Sequence, residues 1–198
     1  MNLSNLYYYF IAINTLGFIL VLLNPHSSAR IKGGQKDLVP RIVCLLGGAS
    51  GILIAILFFD RKTTKENIMT RVLVCCFLVI QVIVFLMVKG FRQEKITFAF
   101  WEFFKKSRAL TLYLLTINIV TLIAFGLDKR NAKKGQQRIR ITTLLGLSYA
   151  GGAIGGLIAM YALRHKTKKK YFTVGLPLMV IMQILVIFYI MNIGIIAV

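Results

Sequence analysis

Two dense basic clusters are where this sequence could do chemistry. One runs from Asp128-Lys129-Arg130 to Arg140, the other from Arg164-His165-Lys166 to Lys170. Arg presents a planar fork that grips phosphate or carboxylate through two hydrogen bonds, whereas Lys is a mobile point charge. Arg138, Arg164, His165 and Lys166 are therefore the expected ligands of a phosphate-bearing molecule such as an anionic lipid or a polyprenyl phosphate. Asp128, Lys129 and Arg130 read as a charged helix end. The plainer account of both clusters is contact with anionic phospholipid headgroups. Nucleic acid is not an expected partner, because no RNA-binding fold is present to stack bases.

A second set of polar residues is neutral and lies inside apolar runs: Asn14, Asn118, Gln81 and Gln183. Such amides either hydrogen-bond between helices, at roughly 0.6–2 kcal/mol each, or line a polar site shared by two halves of the molecule. The six acidic residues all fall in connections or at helix ends, so none sits at membrane depth where ion coupling usually needs one. His26 and His165 are the only histidines, and Cys44, Cys75 and Cys76 all lie in apolar runs as packing groups. Neither catalytic nor zinc-ligand spacing emerges, so no catalytic residue, metal or cofactor is expected.

The elements that must position these residues are set by composition. The chain has 198 residues, 58% of them apolar, and a mean hydropathy of +0.76. Six apolar runs, at 6–23, 42–59, 72–88, 109–127, 141–163 and 172–196, are long enough for helices crossing a hydrocarbon core of about 30 Å. The expected fold is an all-α polytopic membrane bundle, and the expected location is the cell membrane of a prokaryote. The net charge of +19 resides in the connections between the runs.

The sequence also contains itself twice. A shift of 104 positions brings Tyr9 onto Tyr113, Asn14 onto Asn118 and Lys62-Thr63 onto Lys166-Thr167, and nearly the same shift brings Gln81 onto Gln183. The repeat predicts two three-helix units, 1–90 and 109–198, as six transmembrane helices with inverted halves. Gly47/Gly51, Gly151/Gly155 and Gly152/Gly156 are then small-residue pairs that let helices pack closely. The alternative is four spanning helices plus two Gly-rich re-entrant ones. Six crossings leave 15 Lys and Arg on one side and 10 on the other, while four leave 19 and 6. The second division obeys the positive-inside rule better, but the first suits the length of the Gly-rich runs. The linker 91–108, with Phe100, Trp101 and Phe104 at helical spacing beside Lys105, Lys106 and Arg108, reads as an interfacial amphipathic helix.

Residues 109–190 resemble a family of small membrane proteins known as domain of unknown function 1294. The motifs that carry the likeness are Asn118, Asp128-Lys129-Arg130 with Ala132, Arg138-Ile139 and Gly151-Gly152 with Gly155. They continue through Arg164-His165-Lys166-Thr167, Phe172, Gly175-Leu176-Pro177 and Gln183. The family commonly has an acidic residue where this chain has Thr142. The first half reads as a degenerate copy, with Asn24-Pro25-His26 in place of Asp128-Lys129-Arg130 and Asp60-Arg61 in place of Arg164-His165. The resemblance implies membership and a motif map but no activity. The expected function is to bind or move an anionic small molecule or lipid at the interface of the two repeats. The alternative is a non-catalytic subunit or scaffold that associates with other membrane proteins or with itself.

Overall fold

In hydrocarbon a backbone must satisfy its own hydrogen bonds, and a helix does so within one segment. Among the described residues the chain is accordingly all helical. The computed structural model describes residues 3–23, 38–59, 67–90 and 98–193. His26, Asp60-Arg61 and the linker residues 91–97 lie outside the described residues.

The chain divides into two compact units, Met1–Phe85 and Leu86–Val198. The first holds α1 (Leu3–Leu23), α2 (Leu38–Val43), α3 (Ala49–Phe59) and most of α4 (Ile68–Gly90). The second holds α5 (Phe100–Lys106), α6 (Arg108–Lys133), α7 (Ile141–Leu147), α8 (Ala153–Ala162), α9 (Lys170–Thr173) and α10 (Gly175–Asn192). Five helical stretches are long and apolar enough to cross a membrane: Val39–Phe59, Ile68–Met87, Arg108–Lys133, Ile141–Ala162 and Lys170–Asn192. A shorter apolar helix covers Tyr7–Leu23. This is the make-up of a membrane protein.

Two of those five stretches are not straight rods, which corrects the expectation of three full-length helices in each half. In the second unit, Ile139 N–H donates to Asp128 Oδ1 at 2.9 Å and His165 Nε2 lies 2.8 Å from Asp128 Oδ2. One carboxylate therefore holds both ends of the stretch. A straight helix over the 22 residues Ile141–Ala162 would keep those ends about 33 Å apart. The chain instead reverses at Gly151, whose φ of 132° is closed to most L side chains. After the reversal α8 runs parallel to α6, as the constant separation of 37 residues in the pairs Tyr113–Ala150, Asn118–Gly155 and Asp128–His165 requires. Helices α7 and α8 thus form a hairpin with its foot at Asp128 and its tip beside Tyr113. The tip lies about 22 Å away along α6. Helix α10 closes the unit with Leu176 buried near the foot and Gln183 hydrogen-bonded to the tip.

The first unit breaks in the same way at Gly47, with φ 119°. A Cβ on Gly17 would lie 3.4 Å from Val43 Cγ1 and 3.0 Å from Ile52 Cγ1, so the residues before and after the break flank one point on α1. Tyr9–Leu46 and Asn14–Gly51 repeat the separation of 37. Val43, Cys44, Ala49, Ile52, Ile56 and Val74 form the buried core there. Phe125, Leu144, Met160, Phe172, Leu176 and Met179 are the corresponding fully buried side chains of the second unit.

The glycines divide by role. Gly47 and Gly151, expected as helix-packing residues, are instead the pivots of the two reversals. Gly51 and Gly155 do serve close packing, since a Cβ on either would fall within 1.9 and 2.2 Å of the Asn14 and Asn118 carbonyl oxygens. A Cβ on Gly152 would overlap Thr121 Oγ1, and one on Gly156 would press on Ser148 Oγ at 3.0 Å. Cys44 and Cys76 are buried and Cys75 half-buried, and none of the three is in a disulfide, as suits packing residues.

Candidate functional site: a buried carboxylate at the foot of a hairpin

A chain that reverses inside an apolar layer loses helical hydrogen bonds at the turn, and each orphaned group there must find a side chain. The tyrosine and the amides of the repeat are those side chains. At the second tip, Tyr113 O–H donates to Ala150 O at 2.6 Å. Asn118 Nδ2 donates to Gly151 O at 3.0 Å, and its Oδ1 accepts from Gly155 N–H at 2.7 Å. Gln183 Nε2 reaches Ser148 O at 2.7 Å. At the first tip, Tyr9 donates to Leu46 O, Asn14 Oδ1 accepts from Gly51 N–H and from Ser50 O–H, and Gln81 Nε2 donates to Cys44 O, at 2.5–2.9 Å. All four amides expected at a shared polar site are thus engaged by backbone of their own unit.

The charged groups sit at the other end of the second hairpin. Asp128 is fully buried, one turn before the end of α6. Its Oδ2 meets Lys166 Nζ at 2.7 Å as well as His165 Nε2, while Oδ1 takes the Ile139 N–H. Beneath the pair, the Lys166 ammonium lies 5.1 Å above the buried Phe172 ring, and Phe172 packs edge-on against Phe125 at 5.3 Å. Lys129 Nζ donates to Leu163 O at 2.6 Å and ties α6 to the end of α8. A buried ion pair with both carboxylate oxygens engaged holds its geometry firmly, because removing one member strands the other.

Local backbone chemistry explains why His165 and Lys166 face the same carboxylate. His165 N–H bonds to Met160 O and Arg164 N–H to Tyr161 O, which closes the helix in a Schellman turn. The residue of that turn in left-handed conformation is usually glycine, and here it is Arg164 at φ 46°. Lys166 is also left-handed, at φ 62°. Two such residues in three cost roughly 1–2 kcal/mol each, and the Asp128 contacts hold them in place.

The structure therefore sorts the expected phosphate ligands into two groups. His165 and Lys166 are brought together, but on a protein carboxylate, so both side chains are already engaged. Arg138 and Arg164 are exposed, and Arg164 serves as a helix terminator. Asp128, expected only as part of a charged helix end, is the centre of the cluster. A lone carboxylate at the head of the first basic cluster was the available signal, since a buried charge needs a partner. Lys129, Arg130, Lys133 and Lys134, with Gly126, line a shallow groove of about 330 Å³ along one side of α6.

The family described as Protein of unknown function (DUF1294) matches residues 118–172, from the amide that caps the tip to the phenylalanine under Lys166. The Uncharacterized protein YsdA of Bacillus subtilis (strain 168) is 33% identical over 78 residues, which is 39% of this chain and 88% of that protein. No solved structure matches. Since most of a relative is covered at that identity, the chain belongs to the family of unknown function DUF1294.

Proposed function

We propose that this is a multi-pass protein of a bacterial cytoplasmic membrane, with a cytoplasmic face that binds anionic phospholipid. In this reading α6 and α10 cross the bilayer, and the α7–α8 hairpin enters and leaves on one side. The fold-back onto Asp128 supports that topology. The matching bonds at Gly47 support reading the first unit as a second, diverged family unit with the same topology. The bacterial relative supports the location. Membrane-impermeant maleimide tests the topology in a background where Cys44, Cys75 and Cys76 are replaced by alanine. Gln136→Cys and Lys168→Cys are expected to react from the same side. Reaction from opposite sides would mean that Ile141–Ala162 crosses.

The observation that carries the functional reading is where the hairpin puts charge. Of the 14 Lys and Arg between Phe98 and Ile193, 11 lie in Lys129–Arg140 and Arg164–Lys170, at the foot. Cations concentrate on the cytoplasmic side, where the leaflet is anionic, and each adds about 1 kcal/mol of attraction. Binding rather than translocation fits the amides, which are all engaged by backbone of their own unit. Native mass spectrometry of the detergent-solubilised chain, titrated with phosphatidylglycerol or phosphatidylcholine, tests the reading. Phosphatidylglycerol adducts are expected to dominate and to fall several-fold in Arg130→Glu/Lys133→Glu/Lys134→Glu. Equal adducts, or no effect of charge reversal, would overturn it. A stoichiometric protein that survives purification would favour the subunit alternative.

A further inference from the structure

The tip side of the second unit carries a different kind of feature. Helix α5 lies there, fastened at its start by Phe98 and Phe100, whose rings sit 5.4 and 6.3 Å from the Phe188 ring of α10. Phe103 is buried beneath it, and Ser107 N–H bonds to Phe103 O where α5 meets α6. Between α5 and the first turns of α6 opens a cleft of about 390 Å³, lined by Trp101, Phe104, Lys105, Arg108, Thr111 and Leu112. Its floor is apolar. The Thr111 hydroxyl is directed at Phe104 O and Ser107 O, so the charged groups of the cleft are Lys105 and Arg108.

Three observations place this cleft at a membrane interface. Trp101 is 74% exposed, with Lys105 Nζ 5.3 Å over its ring. Bare indole is poorly placed in water and well placed at headgroup depth. Below the rim, Leu112, Leu115, Ile119 and Leu122 are all exposed at helical spacing, a continuous aliphatic stripe down α6. Along that stripe Arg108 and Arg130 are separated by about 33 Å, close to the ~30 Å of bilayer hydrocarbon. The rim cations therefore stand at the interface opposite the cation-rich foot.

We propose that the cleft seats a single anionic glycerophospholipid of the leaflet opposite the foot. The phosphate lies between Lys105 and Arg108, the glycerol against Trp101, and an acyl chain along Leu112, Leu115 and Ile119. Two rim cations favour a lipid whose headgroup carries no ammonium of its own. This seat is separate from the diffuse attraction at the cytoplasmic face, which depends on other residues.

Trp101 is the only tryptophan in the chain, so its fluorescence reports on this cleft alone. The test is the full chain in phosphatidylcholine vesicles with increasing fractions of phosphatidylglycerol or phosphatidylcholine brominated on the acyl chains. Brominated phosphatidylglycerol is expected to reach half-maximal quenching at a roughly tenfold lower mole fraction, a size that two surface cations can supply. Lys105→Glu/Arg108→Glu should abolish the preference, and Lys105→Arg/Arg108→Lys should keep it. Equal quenching of the unmodified protein by both lipids would overturn the proposal, as would a preference that persists in the glutamate variant. Arg130→Glu/Lys133→Glu/Lys134→Glu should leave the Trp101 preference intact while weakening cytoplasmic-face binding several-fold. Loss of the Trp101 preference in that triple variant would likewise overturn a separate seat.

Discussion

The tip and the foot of the second hairpin meet the same requirement with opposite chemistry. At both, backbone leaves a regular helix and must be held against α6. The tip is held by a phenol and two amides. The foot is held by a carboxylate, an ammonium and an imidazole. A charge at the centre of a bilayer costs several kcal/mol even by the mildest measures, whereas a neutral amide is tolerated. Near the surface the penalty shrinks, and an ion pair with its directional bonds can fix two chain ends at once. In the proposed topology the tip's amides lie within hydrocarbon and the ion pair near the surface, so depth decides which chemistry is used.

Substitutions can break this contrast, and their expected effects descend in order. Asp128→Asn strands the Lys166 ammonium and should lower stability by about 3–5 kcal/mol, read as a depressed melting temperature in detergent. Adding Lys166→Met should restore much of the loss. A single variant that melts like the parent would show that the foot is not held by its charges. Asn118→Leu leaves the Gly155 N–H and the Gly151 carbonyl without partners and should cost about 1–3 kcal/mol. Asn14→Leu, at the first tip, should cost nearly the same, and a large inequality would mean that the two tips are built differently. Arg138→Ala, on an exposed side chain, should stay within about 0.5 kcal/mol. A larger loss would extend the charged foot beyond Asp128.

The helical, membrane-spanning character was legible because hydrophobic run length reports it directly. So were the matched pairs Tyr9/Tyr113, Asn14/Asn118 and Gln81/Gln183, which recur at almost one spacing and make matching bonds. The reversals were harder to read. A Gly-rich apolar run of about 20 residues has the same composition whether it is one rod or a hairpin, and glycine serves both close packing and positive φ. The uneven division of Lys and Arg favours the re-entrant topology proposed above, whereas the length of the Gly-rich runs favours six crossings. The clustering of Asp128, His165 and Lys166 could not be read from spacing, because a separation of 37 has meaning only once two helices are known to run parallel.

That one carboxylate holds both ends of the hairpin has a consequence for how the protein is made. In the proposed topology, residues 134–170 can be completed from a single side of the bilayer, with α6 and α10 around them. Neither Lys129–Arg140 nor Arg164–Lys170 need be carried through hydrocarbon by the insertion machinery, although together they hold most of the cations of this unit. In that topology only the apolar tip needs to enter hydrocarbon, where Tyr113, Asn118 and Gln183 answer its backbone.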